Sequence, residues 1–136
     1  MVVAGAIGLV WLGMVLGISF LEAPLKFRAP GVTVPLGLGI GRLVFAALNK
    51  VEVVLALGIW VALVVSAGSA GALVAAGAVS VVLLVQLAAV RPVLNRRSDR
   101  VLAGGEAPRS HAHLWYVGLE VVKVAGLVVL GAFALG

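Results

Sequence analysis

The sequence predicts an all-α integral membrane protein, a four-helix bundle with N- and C-termini outside the cytoplasm and a long second helix. Three observations predict it. Of 136 residues, 63% are hydrophobic and only 11% are charged, whereas soluble domains carry roughly 25% charged residues. The apolar residues gather in four runs near the ~20 residues that cross a bilayer. Nine of the ten Lys and Arg residues lie in the connections, or their helical continuation, at one end of those runs. A single domain, 1–136, is expected, with spans at about 2–22, 43–67, 70–90 and 114–135.

Residues 1–21 contain no charge, and the first positive residues, Lys26 and Arg28, follow them. A secretory signal has the opposite charge order, so a retained helix is expected. The connection over residues 22–35 holds Pro24, Pro30 and Pro35 and cannot be one straight helix. The second span ends near Ala67. Its apolar pattern continues back to Leu36 through Arg42, Asn49, Lys50 and Glu52, which predicts a long helix emerging from the bilayer or bending along its surface. Residues 66–71 are Ser, Ala and Gly only; they permit a tight turn that makes spans two and three antiparallel neighbours. Residues 70–90 are again free of charge, residues 91–112 form the most polar connection, and residues 114–135 are interrupted only by Glu120 and Lys123.

Lys26, Arg28, Arg42 and Lys50 belong to the first connection and its helical continuation, and Arg91, Arg96, Arg97, Arg100 and Arg109 to the third. The second connection and both termini carry no Lys or Arg. Basic connections stay in the cytoplasm, which sets the orientation. The net charge of +5 therefore reads as topology, and no nucleic-acid partner is expected. Cysteine is absent, which excludes disulfides, thiolate metal sites and cysteine nucleophiles.

Ionisable groups are costly in hydrocarbon, by ~2.5–3.5 kcal/mol at a helix centre, so their positions carry the most information. His113, Tyr116, Glu120 and Lys123 fall at i, i+3, i+7 and i+10, on one helical face. At 1.5 Å rise per residue, Lys123 lies roughly 13 Å from Leu114, near mid-membrane, and needs a partner. Ser19, Glu22 and Lys26 form a similar stripe on the first helix, Arg42, Phe45, Asn49 and Glu52 on the second, and Gln86 is the polar amide of the third. Facing inward, these stripes meet in the cytoplasmic half of the bundle. The candidate ligand or ion site is Glu52, Glu120 and Lys123 with Asn49, Gln86, Glu22, Arg42, His113 and Tyr116. A purely structural network is the competing expectation, since Glu120 and Lys123 are i, i+3 neighbours and Glu52 or Glu22 could fasten Lys123 to another helix.

His111 and His113 do not share a helix face, and Glu120 is followed by Lys123 rather than by the Glu-x-x-His of dinuclear bundles. No metal and no cofactor are expected; these histidines fit a helix end beside Trp115 and Tyr116 in an interfacial belt. The glycines of residues 37–41 lack the strand and spacing of a phosphate loop. Gly13 with Gly17, and Gly37 with Gly41, are instead placed to let helices approach.

Ser19-Phe20-Leu21-Glu22-Ala23-Pro24-Leu25-Lys26-Phe27-Arg28-Ala29-Pro30, with Gly41-Arg42-Leu43-Val44-Phe45 and Asn49-Lys50-Val51-Glu52, resembles a widespread uncharacterised family of small bacterial four-helix membrane proteins. The layout is distantly similar to an animal four-helix transmembrane family linked to platinum-drug tolerance. The resemblance covers most of the chain and implies the four-helix fold without an activity. The leading functional expectation is a transporter or channel for a small solute or ion, multi-pass in a cell inner membrane and a homo-oligomer. Alternatives are a non-catalytic scaffold or accessory subunit, with anionic lipid at the 91–109 connection, and a lipid-, quinone- or haem-linked enzyme using His113, Tyr116 and Glu120.

Overall fold

The computed structural model describes residues 1–105 and 111–136; Arg109, counted above in the charge bias, lies outside them. The described residues form four long helical runs, α1 (Val2–Arg28), α2 (Val34–Val65), α3 (Ala70–Leu102) and α4 (His111–Leu135), each long and apolar enough to cross a membrane. No strand occurs among them. The fold is all-helical, and its surface is that of a multi-pass membrane protein. Val64, Val74 and Leu84 are 74%, 72% and 64% exposed, while Glu52 and Lys123 are 0% exposed. A soluble domain would invert that distribution.

Two helix ends differ from expectation. The first helix continues through Pro24 to Arg28, and the third continues through Pro92 to Leu102, so residues 91–102 of the polar connection are helix. A proline inside a helix removes one backbone donor and crowds the carbonyl four residues back. In both helices a π segment ends just before the proline, Leu16–Glu22 in α1 and Gln86–Val90 in α3. Ala23 N–H bonds to the Ile18 carbonyl, and Arg91 N–H to the Gln86 carbonyl. The widened turn takes up the mismatch that would otherwise kink or end the helix.

The long α2 has the expected extent. Thr33 caps it, Oγ1 accepting from Leu36 N–H at 3.3 Å, with Pro35 in the first turn, where its missing N–H costs nothing. Its 32 residues reach about 48 Å, beyond the ~30 Å hydrocarbon thickness. It ends in a Schellman motif: Gly68 N–H bonds to Leu63 O at 2.8 Å and Ala67 N–H to Val64 O at 3.4 Å. The left-handed residue of this turn is Ala67 (φ 50°) rather than a glycine. Ser69 then caps α3, accepting from Ala72 N–H at 3.3 Å.

Helix α4 packs along both α1 and α3, and α1 along α2. Helices α2 and α3 touch more sparingly, fastened by Trp60 Nε1–H donating to Ser80 Oγ at 2.9 Å and by an Arg42–Asp99 ion pair. The apolar core gathers toward the termini and the 66–69 turn, around Ala4, Leu63, Ala72, Val79, Leu127 and Leu130. Polar residues take over in the other half. Gly37 receives the Phe27 ring, and a Cβ on Gly41 would lie 3.0 Å from Lys26 Nζ, so this glycine pair does admit the end of α1. A Cβ at Gly13 or Gly17 would meet nothing within 4 Å; that pair marks no helix contact.

Candidate functional site

The polar stripes converge. Lys123 Nζ on α4 lies 2.5 Å from Glu52 Oε2 on α2 and 2.6 Å from Glu120 Oε1 one turn away. Glu52 also accepts from Trp11 Nε1–H of α1 at 2.8 Å and from Asn49 Nδ2–H at 3.0 Å. Glu120 accepts from Gln86 Nε2–H of α3 at 2.8 Å and from Ser19 Oγ–H of α1 at 2.6 Å. All four helices thus contribute to one network, whose members Trp11, Glu52, Gln86, Glu120 and Lys123 are each at most 1% exposed. Charge inside an apolar bundle is tolerable only with such pairing.

Above this network, toward the basic end of the bundle, lies a cavity of about 530 Å³ lined by all four helices. Glu120 and Ser19 form part of its floor; Phe45 and Tyr116 stand in its wall, rings edge to face at 5.8 Å. Lys26, Arg42, Arg91 and Arg97 also line it, against one carboxylate among the described residues, that of Glu120. The two π segments sit at this level: Ser19 and Phe20 belong to one, and Arg91 follows the other. Both π segments, in α1 and in α3, thus border the cavity.

Of the residues proposed from sequence, Glu52, Asn49, Gln86, Glu120 and Lys123 join the network, and Tyr116, His113 and Arg42 line the cavity. Glu22 does not reach Lys123; it pairs with Lys26 at 3.7 Å. Tyr116 leaves the interfacial belt, being 6% exposed, while Trp115 beside it is 67% exposed. Among the described residues no group of three or more His, Asp or Glu could hold a metal ion.

Sequence reasoning missed Trp11, Arg91 and Asp99. Trp11 was legible: Ser19 continued back by four and eight residues gives Val15 and Trp11, both buried on that face. Arg91 was hidden, because five residues past Gln86 is off the face of an α-helix but nearly completes a π turn. Asp99 was read as part of a loop. Comparison with protein-family models, curated proteins and solved structures returns no match, so function must be read from this chain's own residues.

Proposed function

We propose that this chain is a small transport-type membrane protein, a carrier or pore for a small solute or ion. The solute enters the cavity from the cytoplasm and meets the buried network through Glu120. One observation carries the reading: Glu120 is at once a member of the sequestered ion-pair network and part of the cavity floor. A network that only stapled helices together would have no need of a cavity at its edge. The clustering of Lys and Arg at the cavity's end of the bundle supports a cytoplasmic mouth, with both termini on the far side. A bacterial inner membrane is the setting this bias and the resemblance favour. Four helices enclose too narrow a path for a wide pore, so the reading includes a homodimer or larger assembly.

The test is flux into liposomes holding the purified protein. Glu120→Gln and Lys123→Met should each cut the flux of any solute moved by the parent at least ~10-fold, the scale of a displaced charge in a transport path. Unchanged flux in both variants would sink the reading.

A second reading has its own support. Glu52 and Lys123 are fully buried and bonded to each other across helices, with Trp11 also bonded to Glu52, as expected of a scaffold or accessory subunit held together by its charges. The helical stretch with Arg96, Arg97 and Arg100 would then contact anionic lipid. On this reading the parent moves no solute, and the same variants lose a co-purifying partner.

A further inference from the structure

Arg91 differs from the other cations of the cavity wall. Lys26 pairs with Glu22 and Arg42 with Asp99, but among the described residues no carboxylate forms an ion pair with Arg91. Its guanidinium carbon instead lies 4.8 Å from the Phe45 ring centroid and 4.5 Å from that of Tyr116. A cation–π contact supplies no acceptor oxygen for the five N–H donors of the guanidinium fork. Arg91 Nε is buried and has no hydrogen-bond partner.

The same is true of Tyr116 Oη, on a side chain 6% exposed. Asn49 gives one of its two amide hydrogens to Glu52, and the Asn49 amide nitrogen is no acceptor for the phenol O–H. Buried donors are ordinarily satisfied; two unsatisfied ones in the cavity wall, one of them cationic, call for an acceptor. The buried acceptors without hydrogen-bond partners among the described residues, Glu22 Oε2 and Gln86 Oε1, belong to side chains that do not line the cavity. A cation fits poorly there: it would face Lys26, Arg42 and Arg91, and the carboxylate oxygens of Glu120 are already taken by Lys123, Gln86 and Ser19. The rest of the wall is largely apolar, with Phe20, Phe27, Leu38, Leu94 and Val117. The volume, about 530 Å³, lies in the range of small-molecule sites.

We propose that the cavity binds an oxyanion, a carboxylate or phosphate, carried on an apolar body, with the Arg91 guanidinium and the Tyr116 hydroxyl as its anchoring donors. This rests on reading the cavity as the solute site, and it names the solute's chemical class. The oxyanion could belong to a free amphiphile or to a bilayer lipid, and the experiment separates them.

Binding is measured by native mass spectrometry on the full chain, in neutral detergent with decanoate, decyl phosphate or decanol, and in nanodiscs with phosphatidic acid. Decanoate or decyl phosphate should bind at least ~10-fold more tightly than decanol, as charge-assisted bonding requires. Arg91→Gln should weaken that binding about tenfold or more, Tyr116→Phe by less, and Arg91→Lys should fall between, keeping the charge but losing the fork. Phosphatidic acid bound in an Arg91-dependent way assigns the oxyanion to a lipid; binding of the decyl probes alone assigns it to a free amphiphile. Should Arg91→Gln lose helix content by circular dichroism, Tyr116→Phe carries the test, since it removes one oxygen from a buried ring. Decanol binding as tightly as decanoate, no binding of any probe, or affinities indifferent to both positions would overturn the proposal. Oxyanion binding without flux would overturn transport alone, and flux of another solute through Glu120 without oxyanion binding would overturn the ligand class alone.

Discussion

The ammonium of Lys123 sits between two carboxylates, 2.5 Å from one and 2.6 Å from the other, with no exposed surface. Removing one member of a buried ion-pair group leaves uncompensated charge, which costs about 3–5 kcal/mol. Lys123→Met, which strands two carboxylates, is therefore the worst single change here, read as a lowered midpoint of denaturant unfolding. Glu52→Gln keeps Lys123 paired with Glu120 but removes one acceptor of Trp11, Asn49 and Lys123, and should cost roughly 1.5–3 kcal/mol. The double variant Lys123→Met with Glu52→Gln should be more stable than Lys123→Met alone. One carboxylate then remains, and Ser19 and Gln86 still bond to it. Equal or greater loss in the double variant would show that the charges do not act as one group. Much of this network was legible in sequence because a charge in an apolar helix must face inward, and helical spacing says which residues share its face. Glu22 stands outside this network because spacing gives a face and no depth; it pairs with Lys26 on its own helix.

Prolines decide the shape of the elements. The expected first and third spans stop short of Pro24 and Pro92, yet α1 and α3 continue past both by way of π segments. Nothing in residue periodicity announces a π turn, since the same apolar residues fit an α register until the extra residue has been counted. That is why the extents of α1 and α3, and the role of Arg91, escaped the sequence while the extension of α2 back to about Leu36 did not. Pro24→Ala or Pro92→Ala lets the preceding turn tighten toward α-helix, which rotates Ser19 or Arg91 off the cavity. Either change should leave helix content by circular dichroism intact and lower the reactivity of a cavity-lining thiol; unchanged reactivity in both would detach the π segments from the cavity. At the far end of the bundle, Ala67 holds a left-handed backbone, a conformation that disfavours a Cβ by roughly 1 kcal/mol. Ala67→Gly should raise the unfolding midpoint by the equivalent of about 0.5–1 kcal/mol, offset in part by the added freedom of the unfolded chain.

At the scale of the whole molecule, apolar side chains cover the outside, an apolar core fills one half, and a charged network separates that core from a cavity at the basic end. The overall plan was readable from hydropathy because a bilayer leaves a chain few ways to satisfy its backbone. The cavity was not, because it depends on helix rotations that two widened turns set. Absence of cysteine makes introduced thiols clean reporters of this plan. A thiol at Ser69, in the turn between α2 and α3, should react only from outside the cell, and one at Ser98 only from the cytoplasm. The most direct measurement places the thiol at the cavity floor, as Ser19→Cys, and adds a membrane-impermeant anionic methanethiosulfonate to one face at a time. Modification from the cytoplasmic face and none from the other is the predicted result. No modification from the cytoplasmic face, under conditions that label Ser98→Cys to completion, would contradict an open, anion-accepting cavity resting on a buried charge network.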